Sequence, residues 1–218
     1  ALIFMLMFVG MMFIAGVNWV YFPLGVVAVG AALPVVWYKV FDDIQRNRIL
    51  ALFDPSSYPN EIYQQQQASN AMREGGFFGT GLFKGAYTQS GSVPESANDM
   101  VFSVVCEETG LIGAFVLLLL FALLAIKIAY VAKRSNNFSA AMLCFGVMFM
   151  IIAQVAINIG MCLKLLPIIG ITLPFISAGG SSVISLYLAV GLVLSVYRSS
   201  GGINYDDDYR YSRIARQM

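Results

Sequence analysis

The sequence predicts an all-α fold, a polytopic bundle of membrane-spanning helices with one long extracytoplasmic loop. Of the 218 residues, 59% are hydrophobic and only 11% are charged, whereas soluble domains contain about 25% charged residues. Apolar runs of about 20 residues, the length that crosses a bilayer, recur along the chain, and its mean hydropathy is +0.76. A single long polar stretch, residues 41–99, separates the second run from the third.

Five apolar runs are predicted to cross the membrane, and the first is cut short at its start. No basic segment precedes that run and the chain begins with Ala1, so we expect a fragment rather than a signal peptide. Pro34, inside the second run, is expected to kink its helix. Residues 1–198 are therefore predicted to form a partial membrane domain. The five runs are Ala1–Gly16, Asn18–Val40, Leu111–Val131, Phe138–Leu163 and Ser181–Tyr197.

Basic residues indicate the orientation, because cytoplasmic loops carry an excess of Lys and Arg. The short connection after the third run holds Lys133 and Arg134, and the tail, residues 199–218, is rich in Arg. We therefore expect a cytoplasmic C-terminus, with the 41–99 loop outside, since long loops translocate largely regardless of their charge. The tail is predicted to be a disordered, solvated end, and partner binding is the alternative.

Composition excludes several classes of function. The chain has no His, which excludes His-based triads and His-ligated metal sites. A net charge of +1 gives no reason to expect nucleic acid as a partner. Cys106, Cys144 and Cys162 form no C-x-x-C pair, so we interpret them as small apolar fillers rather than as disulfide or metal sites.

Two carboxylates, Glu95 and Asp99, lie at the end of the long loop, just before an apolar run that Glu107 and Glu108 introduce. Charge at the mouth of a membrane helix is costly, and it more often serves chemistry than structure. Asp99 also fits a helix N-cap, and both interpretations stay open from the residues alone.

A glycine cluster, Gly75-Gly76-x-x-Gly79-x-Gly81, lies upstream in the same loop. No strand precedes it and no Lys-Ser/Thr pair follows it, so it is a weak nucleotide site. A tight turn that brings the loop down against the membrane is the favoured interpretation, although its N–H groups would also suit a lipid diphosphate.

Other polar features of the outer side allow two interpretations each. Arg46 and Arg48 fit interface anchors or contacts to an anionic headgroup. The connection Lys164–Ser182 is apolar but broken by Pro and Gly, a pattern typical of a re-entrant, non-helical segment. Its last residues, 179–182, fit an ordinary helix start or an anion site at a helix N-terminus.

Three blocks of residues resemble one protein family in their order and spacing, and the resemblance covers nearly everything from Ala1 to about Tyr197. They are Tyr63–Gln67 with Gly75-Gly76-x-x-Gly79-x-Gly81, Pro94-Glu95-x-x-x-Asp99-x-x-Phe102 with Glu107-Glu108-x-Gly110, and Asn158–Met161 with Leu165-Leu166-Pro167 and the run Gly170–Ser182. In these blocks the chain resembles the C-terminal part of SEDS-family proteins (shape, elongation, division and sporulation), the group of RodA, FtsW and SpoVE.

The resemblance implies a peptidoglycan glycosyltransferase that polymerises lipid II during elongation, division or sporulation. It implies a multi-pass protein of the bacterial plasma membrane, whose partners are lipid II, the growing glycan-lipid, membrane lipids and a class B penicillin-binding protein. The family's fold has more helices than this chain supplies, so the fragment alone is expected to be inactive.

The family's essential aspartate corresponds to Asp99, which the resemblance implies is the general base of an inverting displacement. A divalent cation, Mg²⁺, is expected at Asp99 and Glu95 to offset the charge of a diphosphate leaving group, although Glu95 also fits a role in holding the loop. Expected substrate-binding residues are Glu95, Gln67, Ser181, Ser182 and Arg48.

Two other classes of function remain as alternatives. A flippase or transporter of lipid-linked precursors would suit a polytopic body with broken outer segments, but the carboxylates lie at the outer loop rather than the bilayer midplane. The other alternative is a non-catalytic scaffold for a penicillin-binding protein.

Overall fold

The computed structural model describes residues 2–18, 20–135 and 137–200, without the side chains of Val26 and Glu61. All regular structure in this part of the chain is helical, as predicted. The eight helices are α1 (Leu2–Ile14), α2 (Tyr21–Lys39), α3 (Asp43–Phe53), α4 (Pro59–Gly75), α5 (Ala86–Gln89), α6 (Val101–Arg134), α7 (Phe138–Cys162) and α8 (Gly180–Ser200). The predicted disordered tail lies, apart from its first two residues, outside the described residues.

Four helices, α2, α6, α7 and α8, are long and apolar enough to cross a membrane, and α1 is a shorter apolar helix. They correspond to the five predicted runs. The third begins at Val101 instead of Leu111, because the polar stretch before the apolar run is itself helical. Helix α2 continues through Pro34 as a single helix.

The centre of the bundle is the pair α6 and α7, with α1 packed on α7 and α8 packed on both. Their contact surfaces are buried, whereas large apolar side chains on the other faces are exposed, as expected of helices surrounded by lipid. Cys106, Cys144 and Cys162 are buried free thiols, which confirms their interpretation as apolar fillers.

The long outer loop is largely helical, which the sequence analysis did not predict. Asp42 and Gln45 form a capping box that starts α3, and Pro59 occupies the first turn of α4, where a missing N–H costs nothing. Helix α4 packs against α6 through small side chains, including the fully buried Ala68 and Ala71. The second outer connection, residues 163–179, contains no helix in the structure, as predicted.

The glycine cluster packs directly against α6, where that helix is interrupted at Gly110 (φ 69°, ψ −168°). A Cβ added to Gly75 would lie 2.0 Å from the Cys106 carbonyl oxygen, and one added to Gly79 would lie 2.2 Å from that of Glu108. Only glycine permits such an approach. The interpretation of the cluster as a tight turn is therefore confirmed, and the turn packs on α6.

Gly79→Ala is expected to destabilise the fold, because the methyl group would collide with α6 and Gly79 has a φ of +79°. Overpacking of this kind typically costs about 1–3 kcal/mol. Gly30→Ala on α2 is the matched control, since a Cβ there meets no atom within 4 Å. Thermal unfolding in detergent measures both variants, and equal melting temperatures would contradict the close approach.

Candidate active site

Asp99 is half-buried and lies one residue before the N-cap of α6, Met100. The turn that leads to it begins at Glu95, which has a φ of +52°. The Glu95 carbonyl accepts hydrogen bonds from the N–H groups of Asn98 (3.0 Å) and Met100 (3.3 Å). The Glu95 carboxylate accepts a further one from the Asn98 side chain at 2.7 Å. Glu95 therefore holds this loop, one of its two expected roles.

Three consecutive main-chain carbonyls, those of residues 97–99, each accept a hydrogen bond from a distant part of the chain. The donors are, in order, the N–H of Ala178 (2.9 Å), the hydroxyl of Ser177 (2.6 Å) and the side-chain amide of Asn158 (2.8 Å). We call this arrangement the carbonyl clamp. It fixes the backbone of Asp99 to α7 and to the second outer connection.

Asn158 is the fully buried member of the carbonyl clamp. Its amide also donates to the carbonyl of Ile171 at 2.7 Å, so one side chain joins α7, the Asp99 turn and the second outer connection. Its side-chain oxygen is buried without a hydrogen-bond partner among the described residues. Leaving a buried polar atom unpaired costs about 1–3 kcal/mol, which the two bonds of the amide nitrogen offset.

The carboxylate of Asp99 faces the second outer connection, where a Cβ added to Gly170 would lie 3.4 Å from Oδ2. Burial raises the pKa of Asp99 and the like charge of Glu95 raises it further, while the Arg48 guanidinium lowers it. Arg48 also donates to the Ile168 carbonyl at 3.2 Å. The structure thus brings three of the predicted site residues into electrostatic contact.

The interpretation of Asp99 as a helix N-cap is wrong. Helix α6 has Met100 at its N-cap position and no side chain caps it. The reason is the carbonyl clamp, which holds the Asp99 backbone by tertiary contacts. In this position the Asp99 carboxylate faces the second outer connection. Without a capping role, the carboxylate is available for chemistry.

Ser182 and Ser181 lie in the first turn of α8, as predicted. The Ser182 hydroxyl lies 2.7 Å from that of Thr172, two residues beyond Gly170, whereas Ser181 is exposed. Gln67 is half-buried on α4, and its side chain makes no hydrogen bond to the described residues.

The other glutamines of the run join α4 to the surrounding outer segments. Gln64 donates to the Pro94 carbonyl at 3.1 Å, and Gln66 accepts from the Lys164 ammonium. Buried Gln65 donates to the carbonyls of Met161 (2.9 Å) and Leu166 (2.7 Å). The sequence analysis missed both Gln65 and Asn158; for Asn158 the available signal was a lone amide inside an apolar span.

Two further charged residues prove to be structural. Glu107 is fully buried, and its carboxylate accepts hydrogen bonds from the N–H groups of Tyr87 (2.7 Å) and Thr88 (3.0 Å) at the start of α5, and from the Thr88 hydroxyl. Arg46 donates to the carbonyls of Trp37 (2.8 Å) and Tyr38 (3.2 Å), which ties α3 to the end of α2.

The carboxylates of Asp99 and Glu95 are the candidate ligands for a divalent cation. No group of three or more Cys, Asp or Glu residues in the described ranges is arranged to hold a metal ion. Two neighbouring carboxylates do fit the common mode of Mg²⁺ binding, in which one or two carboxylates and the phosphates of the substrate share the ion.

Comparison with known proteins identifies the family of the chain. The model of the FtsW/RodA/SpoVE family, described as cell cycle protein, matches residues 1–201. The chain belongs to this family. It is 35% identical over 187 residues to the peptidoglycan glycosyltransferase MrdB of Escherichia coli K12, covering 85% of this chain and 50% of MrdB. It is 38% identical over 193 residues to a probable peptidoglycan glycosyltransferase FtsW of Thiomicrospira cyclica, covering 86% and 49%.

A solved structure shares the fold of this FtsW/RodA/SpoVE-family chain. It matches with a TM-score of 0.73 and 29% identity, over 92% of this chain and 55% of its own. That chain comes from work on structural coordination of polymerization and crosslinking by a peptidoglycan synthase complex. The chain analysed spans about half the length of the curated relatives it matches. Family membership and its apolar helices make it part of a multi-pass membrane protein.

Glu107→Ala is expected to destabilise the first turn of α5, because the main-chain N–H groups of Tyr87 and Thr88 lose their carboxylate acceptor. Hydrogen bonds to charged groups are worth about 1.5–3 kcal/mol, so amide exchange at Tyr87 and Thr88 should accelerate. Glu108→Ala is the matched control, since its carboxylate does not accept these bonds. Hydrogen exchange followed by mass spectrometry measures both, and unchanged exchange in Glu107→Ala would contradict the capping role.

Proposed function

We propose that this chain carries the catalytic site of a peptidoglycan glycosyltransferase that polymerises lipid II, with Asp99 as the general base. The observation that carries the proposal is a half-buried carboxylate, held by the carbonyl clamp and free of a capping role, at the mouth of a membrane helix. The names of the relatives MrdB and FtsW support the reaction class.

The reaction joins a sugar hydroxyl of one lipid-linked substrate to the anomeric carbon of another. As the new C–O bond forms, Asp99 accepts the hydroxyl proton, and the polyprenyl diphosphate leaves with the electrons of its bond to the sugar. One displacement inverts the anomeric centre, so the step requires no covalent enzyme intermediate.

The surroundings of Asp99 suit a base that must gain a proton. Burial and Glu95 raise the pKa of Asp99, which strengthens the carboxylate as a proton acceptor, while Arg48 lowers this pKa and so limits the rise. The carbonyl clamp fixes the backbone so that the carboxylate is held in place before substrate binds, which favours the oriented approach that the reaction needs.

Residues around the Asp99 carboxylate would bind the anionic leaving group. We propose that Asp99 and Glu95 bind Mg²⁺ together with the substrate diphosphate, and a bound cation would offset the charge that develops there. Arg48, Ser181, Ser182 and Gln67 are the proposed substrate contacts. Of these, Arg48 has the strongest support, since it is exposed and interacts electrostatically with Asp99.

We further propose that the protein lies in the bacterial plasma membrane with its C-terminus in the cytoplasm. Its partners would be the growing glycan-lipid, membrane lipids and a class B penicillin-binding protein. A structural neighbour taken from a peptidoglycan synthase complex that couples polymerization and crosslinking supports such a partner.

Asp99→Asn is expected to lower lipid II polymerisation by about 10²–10⁴-fold, the usual contribution of a general base. The assay uses a protein that carries this chain with the rest of the family's fold, and glycan products are resolved on gels. Asp54→Asn is the matched control, because Asp54 is exposed and its carboxylate accepts hydrogen bonds, among the described residues, only from its neighbours Ser56 and Ser57.

Three results would redirect the assignment of function. Polymerisation at the parent rate in Asp99→Asn would show that Asp99 is not the general base. Activity that comes only from the penicillin-binding protein would favour the scaffold alternative, and movement of lipid II across vesicles without polymerisation would favour the transporter.

The acid limb of the pH–rate profile is expected to report the ionisation of Asp99, since only the ionised carboxylate accepts a proton. Glu95→Gln removes a charge that raises the pKa of Asp99, so the limb should move to lower pH. Arg48→Gln removes a charge that lowers the pKa, so the limb should move to higher pH. Initial rates at limiting Mg²⁺ and lipid II, which report the ionisation of the metal-free protein, measure both, and shifts in the same direction would contradict this electrostatic balance.

A further inference from the structure

The turn that contains the last three glycines of the cluster exposes several large apolar side chains. We call residues 76–85 the glycine finger. Phe77, Phe78, Leu82 and Phe83 in it are 69%, 84%, 66% and 81% exposed. Soluble protein surfaces rarely gather such side chains unless they meet a partner or a membrane.

Main-chain hydrogen bonds attach the glycine finger to α6 at a defined height. In a continuous helix the carbonyls of Glu107 and Glu108 would accept from the N–H groups four residues later, those of Leu111 and Ile112. Here the same two carbonyls accept from the finger. The exchanged bonds run from Thr80 N–H to the Glu107 oxygen (2.9 Å), Gly81 N–H to the Glu108 oxygen (3.0 Å), Leu111 N–H to the Gly76 oxygen (2.9 Å) and Ile112 N–H to the Phe77 oxygen (3.3 Å).

The attachment point lies at the boundary of the hydrocarbon core. The apolar run of α6 extends from Leu111 to Val131, which at 1.5 Å per residue spans roughly 30 Å, the thickness of that core. Leu111 and Ile112 are 58% and 52% exposed, as expected of side chains that face lipid. Because the finger is bonded to these residues, its aromatic side chains lie at the same depth.

The main-chain hydrogen bonds also favour a position of the finger at the boundary of the hydrocarbon core. Within lipid, main-chain N–H groups must find partners in the protein, and the break at Gly110 removes the helical partners of the two residues that follow it. The finger supplies these partners. The finger therefore completes the main-chain hydrogen bonding of α6.

We propose that the glycine finger inserts into the bilayer, with Phe77, Phe78, Leu82 and Phe83 in contact with lipid acyl chains. The only charged residue of the finger is Lys84, near its end, where a long side chain extends to the headgroups. The proposal rests on the membrane-spanning character of α6 and does not depend on the reaction at Asp99.

Spin labels at Phe78→Cys and Phe83→Cys, in a protein that carries this chain with the rest of the family's fold and is reconstituted into phosphatidylcholine vesicles, test the insertion. Collisions with oxygen, which concentrates in lipid, and with a water-soluble nickel chelate are measured by electron paramagnetic resonance. Ser57→Cys in the exposed α3–α4 connection is the aqueous control, and Leu120→Cys on the exposed face of α6 is the lipid control. The buried native cysteines stay in place, and the unsubstituted chain gives the background.

We expect the finger labels to collide with the nickel chelate several-fold less often than the Ser57 label. Their collisions with oxygen should be more frequent than those of the Ser57 label and less frequent than those of the Leu120 label, which lies nearer the bilayer centre, where oxygen concentrates. Nickel collisions as frequent as at Ser57 would place the finger in water and overturn the proposal. Protection from both agents would show that protein covers the finger, which would also overturn it.

Discussion

The site depends on the hydrogen bonds that the carbonyls of residues 97–99 accept from α7 and from the second outer connection. A turn that begins at a non-glycine residue with positive φ, Glu95, is strained and does not keep one conformation by itself. Asn158, Ser177 and Ala178 hold it from outside. Because Asn158 also bonds to Ile171, the same side chain positions the turn and the segment that faces it.

A second constraint is the close approach of the glycine finger to α6. Without a Cβ at Gly75 or Gly79, two backbones meet and exchange the hydrogen bonds that the break at Gly110 leaves open. This contact brings the following loop back over α6, where buried Glu107 accepts the N–H groups that begin α5. The finger and the carbonyl clamp are thus two of the places at which the outer segments are attached to the membrane bundle.

The electrostatics of the site follow from these attachments. Arg48 belongs to α3 and Glu95 to the turn before α6, yet both act on the Asp99 carboxylate, which lies beside Gly170 of the second outer connection. The outer loop must therefore fold onto the bundle before Arg48 can lower the pKa of Asp99. Helices α3 and α4 of this loop are bonded through Arg48 and Gln65 to the segments around α7.

The sequence by itself determined the membrane helices, the tight glycine turn and the candidate carboxylate, because hydropathy, glycine spacing and charge at a helix mouth are local properties. Only the tertiary structure decided that the outer loop is helical, that Asp99 is no helix cap, and that Asn158 and Gln65 join the elements around the site. These outcomes depend on hydrogen bonds between residues far apart in the chain, such as Asn158 and Asp99, and no local pattern encodes such a pairing.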